Sequence, residues 1–457
     1  MRAVVLVLLL ALAVGPAEAA RQPNVVVVLA DDLGPGDLGC WGGKVAPTPN
    51  LDRLAAEGTR FTRYYSASPI CSPSRCGLLT GQFPARWRIT SYLQTRAGNR
   101  GCAQADYLDP KAPSLPRALK AAGYRTAHFG KWHLGGGRDV TDAPPFAAYG
   151  YDEHAGTYES PEPHPDITAT KWIWSVRDKV KRFDRTAFFV DRTLDFLKRH
   201  RDRPCFVNLW LDDPHTPWVP TATATRGAST PENLRAVMVE VDRQIGRLLA
   251  GLRAHGLDDD TLVLFLSDNG PLPTLDRARS GGLRGCKLSL YEGGIRLPFI
   301  ARWPGTVPGA ANRRDDRAGG GRPVPDRVQA GRAPLPAGYA SDGEDRSAAL
   351  LGTPAKERSR PLFWEYGRNE KFFAYPGPKH GASDRDRSPN VAVRDGQWKL
   401  LVNVDGSGAE LYDLSTDPAE SKDVRADHPD VAARLTRAAL ARWRKVAVTP
   451  LSTPYVG

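Results

Sequence analysis

The sequence predicts an α/β protein with a large mixed, mostly parallel β-sheet sandwiched by helices, followed by a smaller C-terminal antiparallel sheet with one helix. Three observations lead to this prediction. Strand-like and helix-like segments alternate from Asn24 onwards, apolar runs end abruptly in polar residues, and the segments after residue 350 become short strands separated by turns. The 457 residues, 41% hydrophobic and 25% charged, have the composition of a folded globular protein, which excludes a largely disordered or fibrous chain.

The first predicted element is the apolar, β-branched run from Asn24 to Ala30, which is typical of a buried central strand. It stops at Asp31-Asp32, and a later strand stops in the same way at Ser267-Asp268-Asn269. Apolar periodicity predicts helices over 48–58, 113–123, 186–199 and 230–255, and strands over 124–129, 206–211 and 261–266. Because ligands bind beyond the carboxyl ends of strands in open α/β sheets, we expect the polar strand endings to converge on one site.

The C-terminal part has a different character. Its predicted elements are strands over 362–366, 390–394, 398–402 and 410–414 and a closing helix over 429–446. We therefore expect a main α/β domain over residues 21–345 and a smaller α+β domain over residues 346–457.

The first twenty residues are typical of a signal peptide. Arg2 precedes an apolar run over 3–14, and Ala17-Glu18-Ala19 forms a small-residue cleavage pattern. The run is shorter than the roughly 20 residues of a membrane span, so we expect export, to the periplasm, the outside of the cell or the lysosome, without a stable membrane anchor. An uncleaved anchor is the alternative.

The chain is basic. Its 63 Lys and Arg residues against 51 Asp and Glu residues give a formal net charge of +12, which favours polyanions such as sulfated or phosphorylated polysaccharide, nucleic acid or anionic lipid. An Arg-rich coding bias explains the positive charge equally well. Because no recognised nucleic-acid motif accompanies this charge, we expect no nucleic-acid partner. The six cysteines have no CxxC spacing, so neither a zinc site nor a disulfide scaffold is indicated.

The segment from Asn312 to Arg332 fits neither domain, because it is rich in Arg, Asp, Gly and Pro where a helix is expected. Synonymous codons can be chosen for Asp315 to Arg332 that encode TTVLAAVDLFPTVCKLAG when read one nucleotide later. That string predicts an amphipathic helix that continues smoothly into Ala333. We therefore expect a frame-shifted stretch here, and a disordered surface loop is the alternative.

The most informative motif is Cys71-Ser72-Pro73-Ser74-Arg75, followed by a Thr80-Gly81 ending. A cysteine beside a cation at the start of a helix is expected to have its thiolate favoured. The run resembles the sulfatase signature CxPxR, and the other family motifs stand in family order across the chain: DD at 31–32, PNLD at 49–52, GKWHLG at 130–135, PHTP at 214–217, SDNG at 267–270, and Lys287 ahead of EGGIR at 292–296.

The resemblance implies a formylglycine-dependent sulfatase of the alkaline phosphatase-like superfamily, with a layout most similar to arylsulfatase and N-acetylgalactosamine-6-sulfatase. Cys71 would be converted to formylglycine by a formylglycine-generating enzyme. The residues themselves indicate a hard divalent cation, Ca²⁺ or Mg²⁺, because Asp31, Asp32, Asp268 and Asn269 offer carboxylate and amide oxygens. The resemblance favours Ca²⁺ and adds residue 71 to the metal ligands. Adjacent aspartates can serve one ion only if they lie at the turn after the strand.

The resemblance also implies catalytic roles. The hydrated aldehyde at residue 71 would attack sulfur, and Arg75 would help to position it. Lys131 and Lys287 would bind the sulfate oxygens. His133 would later take a proton from the second hydroxyl, and His215 would protonate the leaving alcohol.

The sequence therefore predicts an exported hydrolase of sulfated sugars or aryl sulfates. The alternatives are a phosphodiesterase or phosphonate monoester hydrolase of the same superfamily, and a non-catalytic protein that binds sulfated glycans. Cys76 and Cys286 depart from the family pattern, and we expect free, small apolar side chains rather than a disulfide.

Overall fold

The computed structural model describes residues 22–167, 177–221, 229–275, 277–313, 317–318, 339, 341–353, 358–367 and 383–445. Its centre is a sheet of eight strands in the spatial order β10-β2-β9-β7-β1-β6-β4-β5. Their bounds are β1 Asn24–Ala30, β2 Thr59–Phe61, β4 Arg125–Gly130, β5 Glu153–Gly156, β6 Cys205–Trp210, β7 Thr261–Ser267, β9 Phe299–Arg302 and β10 Ala311–Arg313.

The strand β1 lies in the middle of this sheet, parallel to β6 on one side and to β7 on the other. Strand β9 runs antiparallel to both β7 and β2, so the sheet is mixed and mostly parallel, as predicted. A second sheet has the order β11-β3-β8 and consists of Arg317–Ala318, Tyr64–Tyr65 and Arg296–Leu297.

Helices cover both faces of the main sheet. They are α1 Pro49–Ala56, α2 Cys71–Thr80, α3 Arg96–Gly101, α4 Leu115–Ala121, α5 Arg185–Arg199, α6 Pro231–Ala254, α7 Glu292–Ile295 and α8 Ser347–Leu350. The alternating side chains of β1 separate two cores. Val26 and Val28 pack with α1, α5 and α6, whereas Val25 and Val27 pack with α2 and α4. The sandwiched sheet confirms the predicted fold class.

The C-terminal sheet is antiparallel, with strands β12 Leu362–Glu365, β13 Val391–Asp395, β14 Trp398–Val402 and β15 Glu410–Asp413 in chain order. Helix α9, Pro429–Lys445, packs on one face through Leu435 and Ala439. The other face packs against the main domain, where Trp364 and Tyr412 belong to the same apolar cluster as Ile70 and Cys71. The smaller sheet with its helix is therefore confirmed, and the boundary between residues 345 and 346 stays a prediction.

Two predicted segments cannot be compared with the structure. The signal peptide over 1–20 lies entirely outside the described residues, and so does most of the segment 315–332. The shifted frame predicts an exposed apolar patch beside that segment. Among the described residues, however, the one large hydrophobic side chain that is exposed is Val239, on α6. In the described part of the chain, no helix combines the length and apolar character needed to cross a membrane.

Candidate active site

Polar residues from four parallel strands meet at the carboxyl edge of the main sheet. Asp31 follows β1, Lys131 follows β4, Asp213 lies beyond the end of β6, and Asp268 follows β7. Backbone hydrogen bonds join these ends: the Asp31 amide donates to the Asp213 carbonyl at 3.1 Å, and the Asp268 amide donates to the Ala30 carbonyl at 3.1 Å. The predicted convergence of the polar strand endings is confirmed.

Close backbone approach shapes this edge. Gly130 ends β4 with φ 117°, and a Cβ atom there would lie 1.8 Å from the Trp210 carbonyl oxygen, so only glycine lets the chain turn into Lys131. Asp32 and His133 both adopt left-handed backbone, with φ of 64° and 56°. Such backbone is costly for residues with a side chain and clusters at functional sites. The turn at Asp32 also meets the condition under which two adjacent aspartates can serve one ion.

Cys71 begins α2, a helix whose ten residues are all buried. Its Sγ lies 3.6 Å from Asp31 Oδ1. Burial raises the pKa of the Cys71 thiol well above its usual value, and the nearby Lys131 and Lys287 do not overcome that effect. The expectation of a favoured thiolate is therefore wrong, because the sequence shows the helix start and the cation but not the desolvation. An unmodified Cys71 is a neutral, poorly nucleophilic thiol.

Two lysines neutralise the two aspartates after β1. Lys131 Nζ lies 2.6 Å from Asp31 Oδ2, and Lys287 Nζ lies 2.7 and 2.8 Å from the two carboxylate oxygens of Asp32. Burial alone would raise both carboxyl pKa values, but Lys131 holds the pKa of Asp31 well below its usual range and Lys287 lowers that of Asp32. Both aspartates are thus carboxylates at neutral pH.

Arg75 joins the third carboxylate to this group. Its Nε and Nη2 donate to Asp268 Oδ2 at 3.0 and 2.8 Å, and its Nη1 donates to the Lys131 carbonyl at 2.7 Å. Despite this pair, burial and the neighbouring Asp31 raise the pKa of Asp268 to about 7. The three buried carboxylates thus lie so close together that the pKa of one of them is raised, and a bound cation would reduce this mutual repulsion.

The residues fit a hard divalent cation. Ligand atoms of Asp31, Asp32, Cys71 and His215 lie within 4.8 Å of one another. Within the described part of the chain, the buried Oδ1 of Asn269 has no hydrogen-bond partner, although its Nδ2 donates to Asp32 Oδ1 at 2.7 Å. An unpartnered buried amide oxygen beside carboxylates is a donor of the type that Ca²⁺ and Mg²⁺ prefer. The structure therefore brings together Asp31, Asp32, residue 71 and Asn269, with Asp268 alongside.

His133 lies on the Lys131 side of the site. Its Nε2 is 3.1 Å from the Leu93 carbonyl oxygen and 3.5 Å from Glu159 Oε2, and its buried Nδ1 has no hydrogen-bond partner among the described residues. Burial lowers the pKa of His133 to about 3, even though Glu159 opposes that shift. The ring is neutral at physiological pH and can accept a proton.

His215 lies on the Lys287 side. Its Nδ1 is 2.6 Å from the Thr216 carbonyl oxygen, and its Nε2 is 3.7 Å from Asp32 Oδ2. Since a carbonyl only accepts, Nδ1 carries the proton of the neutral ring and Nε2 faces the carboxylates. Burial and Lys287 lower the pKa of His215 to about 4.

Two departures from the family pattern are settled by the structure. Cys76 and Cys286 are both buried and unpaired, which confirms the expected free side chains. Glu159 and the pair Asp212-Asp213 were not predicted from the sequence. A signal existed only for the pair, because two adjacent acids directly follow a predicted strand, as Asp31-Asp32 does.

Comparisons with known proteins indicate the same family that the sequence motifs resemble. The model of the family described as Sulfatase matches residues 23–318. Arylsulfatase A of Homo sapiens is 32% identical over 469 residues, covering 91% of this chain and 85% of that protein. N-acetylgalactosamine-6-sulfatase of Canis lupus familiaris is 34% identical over 395 residues, covering 79% of this chain and 72% of that protein.

A solved structure from work on glycosaminoglycan metabolism by Bacteroides thetaiotaomicron, labelled 6S-sulf, superposes with a TM-score of 0.73 at 26% identity. It covers 93% of this chain and 100% of that one. Together with the family match over the main domain, these findings show that the chain belongs to the sulfatase family and is a sulfuric ester hydrolase.

Proposed function

We propose that the protein hydrolyses sulfate esters of sulfated sugars or aryl alcohols after a formylglycine-generating enzyme has converted Cys71 to formylglycine. The observation that carries this proposal is the position of Cys71 Sγ, 3.6 Å from Asp31 in a buried site that also holds Lys131 and Lys287. The similarity to proteins named arylsulfatase A and N-acetylgalactosamine-6-sulfatase supports the substrate class.

The charges suit a sulfate group once a divalent cation is present. The carboxylates of Asp31, Asp32 and Asp268 are opposed by the three cations that contact them, Arg75, Lys131 and Lys287. The protein groups alone thus come close to neutrality, and a divalent cation would leave the net positive charge that an anionic ester needs. Asp31, Asp32, Asp268 and Asn269 would hold Ca²⁺, or Mg²⁺ in its place, which would supply Lewis-acid stabilisation of negative charge next to residue 71.

The conversion of Cys71 to formylglycine would replace a buried, neutral thiol, which is a weak nucleophile, by a better one. Formylglycine, as its hydrate, supplies an oxygen nucleophile where a neutral thiol is a weak one. Lys131 and Lys287 both lie close enough to Cys71 to act on its thiol and would bind the sulfate oxygens, while Arg75 would orient residue 71 from within α2. Catalysis then depends on charge stabilisation that is in place before the substrate arrives.

The two histidines divide the proton transfers. As the S–O bond to the alcohol breaks, Nε2 of His215 would give its proton to the leaving oxygen, so that a neutral alcohol departs. The negative charge of a bound sulfate would raise the low pKa of His215 and favour the protonated ring. On the other side, His133 would accept a proton from the hydroxyl of residue 71 when sulfate is released.

Export is part of the proposal, on the strength of the signal-peptide pattern in the first twenty residues. The mature chain would begin near Ala20 or Arg21. Mass measurement of the protein recovered from an exporting host tests this, because an uncleaved chain would retain Met1.

The reaction class is tested by assaying matched substrates: an aryl sulfate, a sulfated monosaccharide, an aryl phosphodiester and an aryl phosphonate monoester. The purified protein is expected to prefer the sulfate esters, and Cys71→Ala at equal concentration is the control for contaminating hydrolases. A higher kcat/KM for the phosphodiester or the phosphonate would assign the site to the other branch of the superfamily. Tight binding of sulfated glycans without turnover would indicate a glycan-binding protein.

A further inference from the structure

The loop that carries His215 is held from behind by a buried arginine. Arg182 lies in a single 3₁₀ turn, Arg182–Asp184, directly before α5, and its side chain is 1% exposed. Its Nη2 donates to the Asp212 carbonyl at 2.7 Å and to the His215 carbonyl at 3.2 Å. One nitrogen therefore ties together both ends of the turn over residues 212–215.

The other nitrogen of the same guanidinium binds the acids of this turn. Nη1 lies 2.6 Å from Asp213 Oδ1 and 3.2 Å from Asp212 Oδ1. Asp213 in turn accepts the Thr186 hydroxyl at Oδ2, at 2.7 Å, and its carbonyl accepts the Asp31 amide at 3.1 Å. The planar, forked guanidinium can make these contacts at once, which a lysine ammonium cannot do with the same geometry.

The imidazole of His215 has little freedom to compensate if this turn moves. Its Nδ1 is held by the Thr216 carbonyl at 2.6 Å, within the same loop, so a displacement of the backbone carries the ring with it. We propose that Arg182 is a positioning residue that holds His215 at the distance and angle required for proton transfer to the leaving alcohol. This inference rests on the proposed role of His215.

A structural role alone predicts a different result from a positioning role. An arginine that only stabilises the fold would, when changed, lower the activity toward all substrates by the same factor. An arginine that positions His215 would affect substrates in proportion to their need for protonation. Esters of poor leaving groups, such as alkyl or sugar sulfates, need the proton, whereas activated aryl sulfates need it little.

The experiment compares kcat/KM for a nitrophenyl sulfate and for a sulfated monosaccharide in Arg182→Lys. We expect the sugar sulfate to lose roughly 10–100-fold more than the aryl sulfate, since a misplacement of about 1 Å in a catalytic group can cost about 10²-fold. Arg302→Lys is the matched control. Arg302 is also a buried arginine that bridges two acids, Glu57 and Asp258, but it lies at the opposite end of the sheet from His215.

Two further variants complete the test. Asp213→Asn weakens the pair with Arg182 without removing the arginine, so it should give the same selective loss in smaller degree. This variant replaces Arg182→Lys in the test if Arg182→Lys does not fold. The double variant Arg182→Lys/His215→Ala should be no more selective than His215→Ala, because the arginine acts through the histidine.

Equal losses on both substrates in Arg182→Lys and Asp213→Asn, as in Arg302→Lys, would overturn the inference. If His215→Ala itself affects both substrates equally, the proposed role of His215 is wrong and the inference is refuted with it. Selective loss in His215→Ala without selective loss in the Arg182 and Asp213 variants would refute the inference alone.

Discussion

Replacing Lys399 by Met should destabilise the protein severely, because this lysine is a buried cation that joins the C-terminal sheet to the main domain. Its Nζ lies 2.9 Å from Glu292 Oε1 in α7 and 2.9 Å from Glu420 Oε1, and none of the three side chains has exposed area. Glu292 also accepts the Tyr65 hydroxyl at 2.6 Å, and its amide donates to Glu420 Oε2 at 2.6 Å.

Methionine at position 399 would leave two neighbouring carboxyl groups buried without their shared cation. Loss of one partner of a buried ion pair costs about 3–5 kcal/mol. Burial and the neighbouring Glu292 already raise the pKa of Glu420 to about 7 in the presence of Lys399. The loss of stability in Lys399→Met should therefore be greatest above about pH 7. At such a pH the folded protein must either bury a negatively charged Glu420 or keep this side chain protonated, and both cost free energy.

The pH dependence has a defined sign. Since the pKa of Glu420 is raised in the folded state, its contribution to stability is present at low pH and declines as the pH rises through about 7. Glu420→Gln should remove this decline, and Lys399→Met/Glu420→Gln should be more stable than Lys399→Met. Urea unfolding followed by circular dichroism at about pH 5 and about pH 8 measures both effects.

Lys422→Met is the control for the loss of a lysine. Its side chain is 76% exposed and its ammonium is 3.9 Å from Asp427, so the free energy of unfolding should change by less than about 0.5 kcal/mol. If Lys399→Met costs no more than this control at about pH 8, the buried triad does not join the two parts as described.

The remaining predictions concern the site and the gene. Cys71→Ala should lower sulfate-ester hydrolysis by at least roughly 10³-fold while leaving the fold intact, and near-normal turnover in a pure sample would exclude the proposed nucleophile. Exhaustive chelation should inactivate the enzyme and Ca²⁺ or Mg²⁺ should restore it, whereas activity in a sample that elemental analysis shows to be metal-free would contradict the cation site. His215→Ala should cost about 10²–10⁴-fold on sugar sulfates and far less on activated aryl sulfates, and equal losses would give His215 another role. Resequencing the gene should show codons over Asp315 to Arg332 that encode an amphipathic helix in the neighbouring frame, and codons that cannot do so would refute the frame shift.

Much of the framework could be predicted because its signals are local. The continuous β-branched run predicted β1 with the bounds Asn24–Ala30, and the apolar stripe predicted α6 to within one residue at each end. The rule that ligands bind beyond strand ends brought Asp31-Asp32 and Asp268-Asn269 to one site. Strands β2, β3, β5 and β8 to β11 were not predicted, since segments of two to four residues carry no periodicity and form by pairing with distant partners.

Individual charged residues behind the site could not be predicted either. Arg182 and Glu159 act through contacts with residues 30 and 26 positions away in the chain, Asp212 and His133, and nothing in the sequence near them marks that role. The thiol of Cys71 shows the same limitation. Its desolvation comes from an apolar cluster that it forms with the C-terminal sheet and with Leu290, Tyr291 and Ile295, which exists only in the folded chain.

The most direct test of the central claim is peptide mass spectrometry across Cys71 on active enzyme. We expect the peptide to carry an aldehyde oxygen in place of sulfur and to react with a hydrazide probe, and we expect the modified fraction to be proportional to specific activity across preparations. Full activity in a preparation whose Cys71 is entirely unmodified would show that formylglycine is not the nucleophile.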